Sequence, residues 1–393
     1  MNLAQEITRR IRAVIGDRNE FVPLHVPEFH GRERELLLDC LDTGWVSSVG
    51  SYVDAFEEKV ARLSGCRHGI AVSNGTAALQ IALIVSGVVA KDEVIMPALT
   101  FVATANAASH IGAIPHFVDS AYDTMGVCPN LLRARLEHIA EVRDGVTFNA
   151  KTGRRITAIV PMHVFGCPVD LDALNSVVSD WPMAVVEDAA ESLGSTYRGK
   201  PCGSLGQIAA ISFNGNKIIT TGGGGAIVTN DVALAKRAKH LTTTAKLPHK
   251  WDFVHDEVGY NYRMPNLNAA LGVAQLEQLG DRLEKKQLLF RRYQSAFEDL
   301  EGVNLFHAPT GSTSNNWLIT LVLNSDMAEQ RNDVLERLNC AKIMARPVWT
   351  LINRLPMYTR SPRADLTQAI ELEKCVLNVP SSAHLSAFED NSI

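Results

Sequence analysis

The chain has 393 residues, of which 46% are apolar and 21% charged, with a mass of 42.9 kDa and a mean hydropathy of +0.01. At roughly 150 residues per domain this is two to three domain equivalents, and the composition excludes disordered, collagen-like and low-complexity classes. A formal charge of −5 gives no general attraction to nucleic acid or to an anionic membrane, and neither is expected as a partner.

In chain order, residues 1–20 come first, with Leu3, Ile7, Ile11 and Val14 at helical spacing among Arg9, Arg10 and Arg12. They read as an amphipathic arm, without the apolar run of a signal peptide. The apolar stretch 77–90 is interrupted by Gln80 and Ser86 and is too short for a membrane span, so the cytoplasm is the expected location. From residue 68 onward, β-branched runs alternate with helical segments. Strands are predicted at 68–72, 93–96, 114–119, 156–162 and 183–187, and helices at 75–88, 100–110, 131–142 and 171–178. This rhythm predicts an α/β protein with a mainly parallel sheet, helices on both faces, and ligands at the carboxyl ends of the strands.

Between 208 and 229 the rhythm changes. Two strands, 208–213 and 226–229, are joined by a glycine-rich loop that leaves no room for a helix, so the pattern is not purely Rossmann. A long helical stretch follows over 266–300, then a smaller α/β unit with strands at 317–323 and 342–344 around a helix at 328–338. The seven cysteines form an odd set without a CxxC pair. Neither a disulfide framework nor a metal site is expected.

Three segments could carry chemistry. Ser73-Asn74-Gly75-Thr76-Ala77 opens a helix after a strand, where backbone N–H groups and hydroxyls can bind a phosphate, although such residues are also ordinary N-caps. Val185-Val186-Glu187-Asp188-Ala189-Ala190-Glu191 ends a buried strand in carboxylates. An acid there could keep a heterocyclic nitrogen protonated, or simply cap the next turn. In Ser212-Phe213-Asn214-Gly215-Asn216-Lys217, a lysine leaves a core strand and approaches the run Gly222-Gly223-Gly224-Gly225. A sheltered amine can form a Schiff base with an aldehyde, and the glycines read as room for a bulky ligand. No GxxxxGK[ST] and no suitably placed GxGxxG is present, so nucleoside triphosphate and nicotinamide chemistry lose their usual signatures.

Together these segments resemble the DegT-type nucleotide-sugar aminotransferases, pyridoxal-phosphate enzymes of fold type I. The resemblance spans about residues 22–380, in the family order. It adds Gly44-Trp45-Val46-Ser47-Ser48, Pro97-Ala98-Leu99-Thr100-Phe101-Val102-Ala103-Thr104, Pro161-Met162-His163-Val164-Phe165-Gly166 and Gly259-Tyr260-Asn261-Tyr262-Arg263-Met264 to the segments above. It implies a large cofactor-binding domain over 21–260 and a small C-terminal domain over 261–393. Lys217 then resembles the residue that holds the cofactor and moves the proton, and Asp188 the partner of the pyridine nitrogen. Phe101 matches the stacking ring, and Gly75, Thr76 and Ser212 match the phosphate cradle. His163 and Glu191 fall near the cofactor, while Trp45, Ser47 and Ser48 fall near the sugar nucleotide. Asn261 resembles the residue that reaches the neighbouring subunit's phosphate, which implies a homodimer.

Two positions depart from the common pattern. Gly223 stands where much of the family has an acid, and Glu191 where many members have His or Gln. The strings around Trp45, Lys217 and Asn261 look most like the 4-aminotransferases of the legionaminic acid and bacillosamine routes, with perosamine-type synthases next. That branch implies L-glutamate as donor and a UDP-linked 4-keto-6-deoxy-N-acetylhexosamine as acceptor. Related enzymes that remove a sugar hydroxyl carry His where Lys217 stands, which argues against that chemistry. A non-catalytic binding protein and a nicotinamide oxidoreductase are the remaining alternatives.

Overall fold

A computed structural model describes residues 2–387. Residue 1 and residues 388–393, the outer ends of the expected arm and small domain, lie outside the described residues.

The main sheet has seven strands: β1 (His68–Val72), β2 (Glu93–Pro97), β3 (Ile114–Val118), β4 (Ile156–Ile159), β5 (Ala184–Asp188), β6 (Ile208–Ser212) and β7 (Gly225–Thr229). Their order is β1-β7-β6-β5-β4-β2-β3. β7 is antiparallel to both of its neighbours, and the other pairings are parallel. The hairpin read between 208 and 229 therefore inserts one reversed strand into an otherwise parallel sheet.

The near-continuous apolar character of the strands follows from helices packed on the sheet. Val94, Ile95 and Met96 are fully buried, as strands covered on both faces must be. Helices Gly75–Val85 and Leu171–Asp180 start at side-chain caps, Asn74 accepting from Ala77 N at 2.8 Å and Asp170 from Ala173 N at 3.0 Å. Asp188 and Ser212 are the last residues of adjacent parallel strands, which brings them to the same edge of the sheet.

A second sheet comprises β8 (Val303–Leu305), β9 (Ile319–Leu323), β10 (Arg346–Pro347) and β11 (Val376–Val379), in the antiparallel order β8-β9-β11-β10. The amino-terminal helix Leu3–Ile15 packs into this second core. Ile7, Ile11 and Ile15 are fully buried there, each worth roughly 1.5–3 kcal/mol of transfer free energy. No helix among the described residues is long and apolar enough to cross a membrane.

Three elements differ from the sequence reading. The helix expected over 131–142 ends at Ile139, and a hairpin of Ala140–Arg143 with Val146–Asn149 follows. Its turn is Asp144-Gly145, both at positive φ, the backbone a two-residue hairpin requires and Asp-Gly supplies. The stretch 266–300 divides into helices Asn266–Glu277 and Leu279–Phe297 at Gln278. The Gln278 side chain donates to Glu33 Oε1 at 2.5 Å and to Ala274 O at 3.1 Å. No strand forms at 342–344, because Lys342 turns at φ 61 and Ile343 bridges Val22; the strand begins instead at Arg346.

Candidate active site

Lys217 follows β6 on a loop that folds back on itself. Its amide donates to Asn214 O at 3.0 Å, and Phe213 bonds Gly224 O and receives Thr221 N at 2.9 and 3.0 Å. The amine reaches Glu191 Oε1 at 3.2 Å and lies 3.6 Å from the centroid of the Trp317 ring. Glu191 is buried, and its other oxygen accepts from Phe165 N at 2.9 Å. Phe165 adopts φ 54, and its ring lies 4.9 Å from that of Trp349. Burial raises the Glu191 pKa, with Lys217 opposing.

Asp188 ends β5 with its carboxylate oriented by Thr104 Oγ1 at 2.7 Å and Ala190 N at 3.2 Å. Thr104 in turn is bonded to Thr100 at 2.9 Å. Burial pushes the Asp188 pKa up, and these donors only partly offset it. Among the described residues no basic side chain makes an ion pair with this acid. A carboxylate so placed favours a cation brought to it.

The helix Gly75–Val85 points its N-terminus at the same cavity. Asn74 caps Ala77 N, while the N–H groups of Gly75 and Thr76 have no acceptor among the described residues. A Cβ on residue 75 would come within 2.9 Å of Ser212 Cβ, so glycine keeps the space between the helix terminus and the Ser212 hydroxyl open. Two glycines of the run, Gly224 and Gly225, act differently from the sequence reading. A Cβ at Gly225 would lie 2.5 Å from the Asn74 carbonyl, and one at Gly224 would lie 2.1 Å from Thr221 Oγ1. Gly225 thus permits close backbone packing under the cradle and Gly224 close packing against the Thr221 and Met264 side chains, while a Cβ at Gly222 or Gly223 would meet nothing within 4 Å.

A cavity of about 690 Å³ brings together Gly75, Thr76, Phe101, Asp188, Glu191, Ser212 and Lys217. Other predicted residues lie elsewhere. His163 is fully buried outside the cavity lining, its Nε2 bonded to Glu187 at 3.0 Å and its Nδ1 accepting from Val169 N at 3.3 Å. Asn261 is exposed, with its amide oxygen bonded to Arg263. Trp45 and Ser48 line a second cavity of about 570 Å³, and Ser47 O accepts from Asn266 N at 2.7 Å.

The sequence reading assigned no role to Thr104, Phe165 or Trp317. Thr104 lies in helix Val102–His110 and its partner Thr100 just before it, four residues apart, a local signal. Trp317 is 100 residues from Lys217, and nothing local announces their contact.

The site fits pyridoxal phosphate: an amine for its aldehyde, a helix terminus for its phosphate, and a buried acid in need of a cation. Fold and cavity together define a vitamin B6-dependent transferase. Residues 27–392 match the DegT/DnrJ/EryC1/StrS aminotransferase family. GDP-perosamine synthase of Caulobacter vibrioides is 37% identical over 93% of this chain and 94% of its own length. GDP-perosamine synthase of Escherichia coli O157:H7 is 35% identical over 86% and 88%. The crystal structure of DesI with its TDP-sugar product superposes with a TM-score of 0.81 at 29% identity, covering 94% of this chain and 90% of that one. The chain belongs to the DegT/DnrJ/EryC1/StrS family and is a pyridoxal-phosphate-dependent sugar aminotransferase.

Proposed function

We propose that the enzyme moves the amino group of L-glutamate to C4 of a UDP-linked 4-keto-6-deoxy-N-acetylhexosamine. The product, a UDP-4-amino-4,6-dideoxy-N-acetylhexosamine, serves a surface glycan or a nonulosonic acid. The observation that carries the chemistry is one cavity holding both the Lys217 amine and the buried Asp188 carboxylate, which makes no ion pair among the described residues.

When bound, pyridoxal phosphate supplies an electron sink that lets a proton leave the carbon bearing the amine. Asp188, held by Thr104 and Ala190, keeps the ring nitrogen protonated. Gly75, Thr76 and Ser212 bind the phosphate, and the half-exposed Phe101 offers a stacking face. Lys217 Nζ takes a proton from glutamate Cα in one half of the cycle and gives one to sugar C4 in the other. Glu191 holds the amine on its side of the cavity between transfers. His163 acts through Glu187, which precedes Asp188 on the same strand, and Trp45, Ser47 and Ser48 approach the nucleotide sugar from the side of the second cavity.

The same reading makes the enzyme a homodimer in which Asn261 completes the neighbouring site. Support comes from its exposure and from the nearby exposed apolar residues Trp251, Phe253 and Val258. It also keeps a cofactor-binding unit over 21–260 and a small unit over 261–393. The seven-stranded and four-stranded sheets fall on either side of this division, while Ser312–Thr313 pairs with Thr196–Tyr197 across it, helix Asn266–Glu277 packs in the first core and helix Leu3–Ile15 in the second.

A second reading, a GDP-linked sugar without the N-acetyl group, is favoured by the GDP-perosamine synthases among the relatives. Offering UDP- and GDP-linked 4-keto and 3-keto sugars with glutamate, and identifying the product by mass and NMR, separates the two. A C4 amine on the UDP sugar is the expected result. Turnover of the GDP sugar alone selects the second reading, and amination at C3 overturns both.

A further inference from the structure

The backbone on both sides of Lys217 is gripped from outside its loop. Trp317 Nε1–H donates to Asn216 O at 2.8 Å, and the face of the same ring lies 3.6 Å from Lys217 Nζ. Arg282 Nη1 donates to Ile218 O at 2.9 Å. The carbonyls of the residues before and after the lysine, Asn216 and Ile218, are thus each fixed by a side chain remote in sequence.

Both grips are themselves anchored. Trp317 N donates to Asn315 Oδ1 at 2.9 Å, and Trp317 O accepts from the buried Lys286 Nζ at 2.8 Å. Arg282 also donates to Gln275 Oε1 at 2.7 Å and Glu28 O at 2.6 Å. Trp317 is 4% exposed and Arg282 5%. Arg282 makes no ion pair among the described residues, and Glu28, Glu33 and Asp281 only partly offset its desolvation; a buried guanidinium whose donors go to two backbone carbonyls and an amide oxygen has a geometric role.

We propose that Trp317 and Arg282 are positioning residues for Lys217. They clamp the backbone on either side, so that the amine moves by side-chain torsions alone. The indole face opposite Glu191 is the resting place of the amine while it carries a proton. A cation is attracted to an indole face within about 6 Å, and misplacing a reacting group by about 1 Å can cost about a hundredfold in rate. Because the inference rests on Lys217 being the proton-carrying amine of the proposed function, its test must distinguish the two.

The test compares parental, Trp317→Phe and Trp317→Leu holoenzymes. Phe keeps a ring face and most of the packing but loses the N–H; Leu loses both. Borohydride reduction and peptide mass spectrometry first locate the cofactor, expected on Lys217 in all three. Trp317→Phe should then lower kcat about tenfold with KM for both substrates within about twofold, and Trp317→Leu should lower it about tenfold more. With α-deuterated glutamate, the isotope effect on kcat should rise in both. Amide exchange over residues 213–221 should quicken in Trp317→Phe, while exchange in β2 stays parental. If Trp317→Leu does not fold, Trp317→Phe still tests the clamp by kcat and exchange.

Reduction onto another lysine removes the proposed function and the clamp with it. Reduction onto Lys217 with parental kcat and exchange in Trp317→Phe removes the clamp alone. Equal kcat in the two variants overturns the resting place on the ring.

Discussion

Replacing Lys217 by Ala removes the cation that faces Glu191, and the cost falls on the stability of the cofactor-free protein as well as on turnover. The two charges stand 3.2 Å apart, an attraction of about 5 kcal/mol at an effective dielectric of about 20. Part of this returns because alanine has no ammonium to desolvate, which leaves a deficit of about 3 kcal/mol. Burial already raises the Glu191 pKa, with Lys217 the largest opposing influence, so the substitution drives it higher. A carboxyl whose folded pKa exceeds its unfolded value contributes stability below the unfolded value and loses it as pH rises through the folded one. The variant should therefore come closest to the parent near about pH 4. Above that it falls behind, by up to about 1.4 kcal/mol per pH unit, until Glu191 ionises. Adding Glu191→Gln, which carries no charge, should abolish the pH-dependent part. Urea unfolding of the cofactor-free parent, single and double variants at about pH 5 and about pH 8 measures this directly. A deficit of equal size at both pH values, or one that Glu191→Gln leaves in place, would refute the reasoning.

The remaining expectations concern the loaded enzyme. Lys217→Ala should abolish turnover while the chain still folds, as circular dichroism and steady-state assays would show; undiminished activity contradicts the assigned role. Asp188→Asn should lower kcat by about a hundredfold or more while changing cofactor affinity far less, so equal losses in both argue against ring-nitrogen control. Gly75→Ala should weaken cofactor retention in equilibrium dialysis, because its Cβ enters the space 2.9 Å from Ser212 Cβ; parental retention places the phosphate elsewhere. Mixing inactive Lys217→Ala with impaired Asn261→Ala subunits should restore activity, since a heterodimer carries one intact site. No recovery despite subunit exchange contradicts the shared site.

Much of the sheet was legible because its strands are short apolar runs separated by helices of opposite periodicity. The reversed strand also announced itself, since 212–225 is too rich in glycine and too short for a crossover helix. What local pattern could not show was pairing across the chain. Ile343 bridging Val22, and Gln278 drawn to Glu33, are tertiary contacts that override the preference of their own segments. The Asp144-Gly145 hairpin was a local signal, passed over because a helical pattern runs up to it.

At the site, Asp188 and the helix terminus were readable because each ends or begins an element at one edge of the sheet, and Lys217 because it leaves the end of a core strand on a loop. Asp188 and Ser212 lie on neighbouring strands, so topology alone brings them together. The separation of Trp45 and Ser48 into another cavity was not readable, nor was the burial of His163 against Glu187. Trp317 stands two residues before β9 of the second sheet, and only folding reveals which loop its ring supports.

The central claim is that the amine of Lys217 is the one covalently joined to pyridoxal phosphate. Reducing the purified holoenzyme with borohydride, digesting it and sequencing the labelled peptide by mass spectrometry tests that claim most directly. One pyridoxyl group is expected, on Lys217 within Ser212-Phe213-Asn214-Gly215-Asn216-Lys217-Ile218. A label on any other lysine, or none on a protein that retains the cofactor, would contradict it.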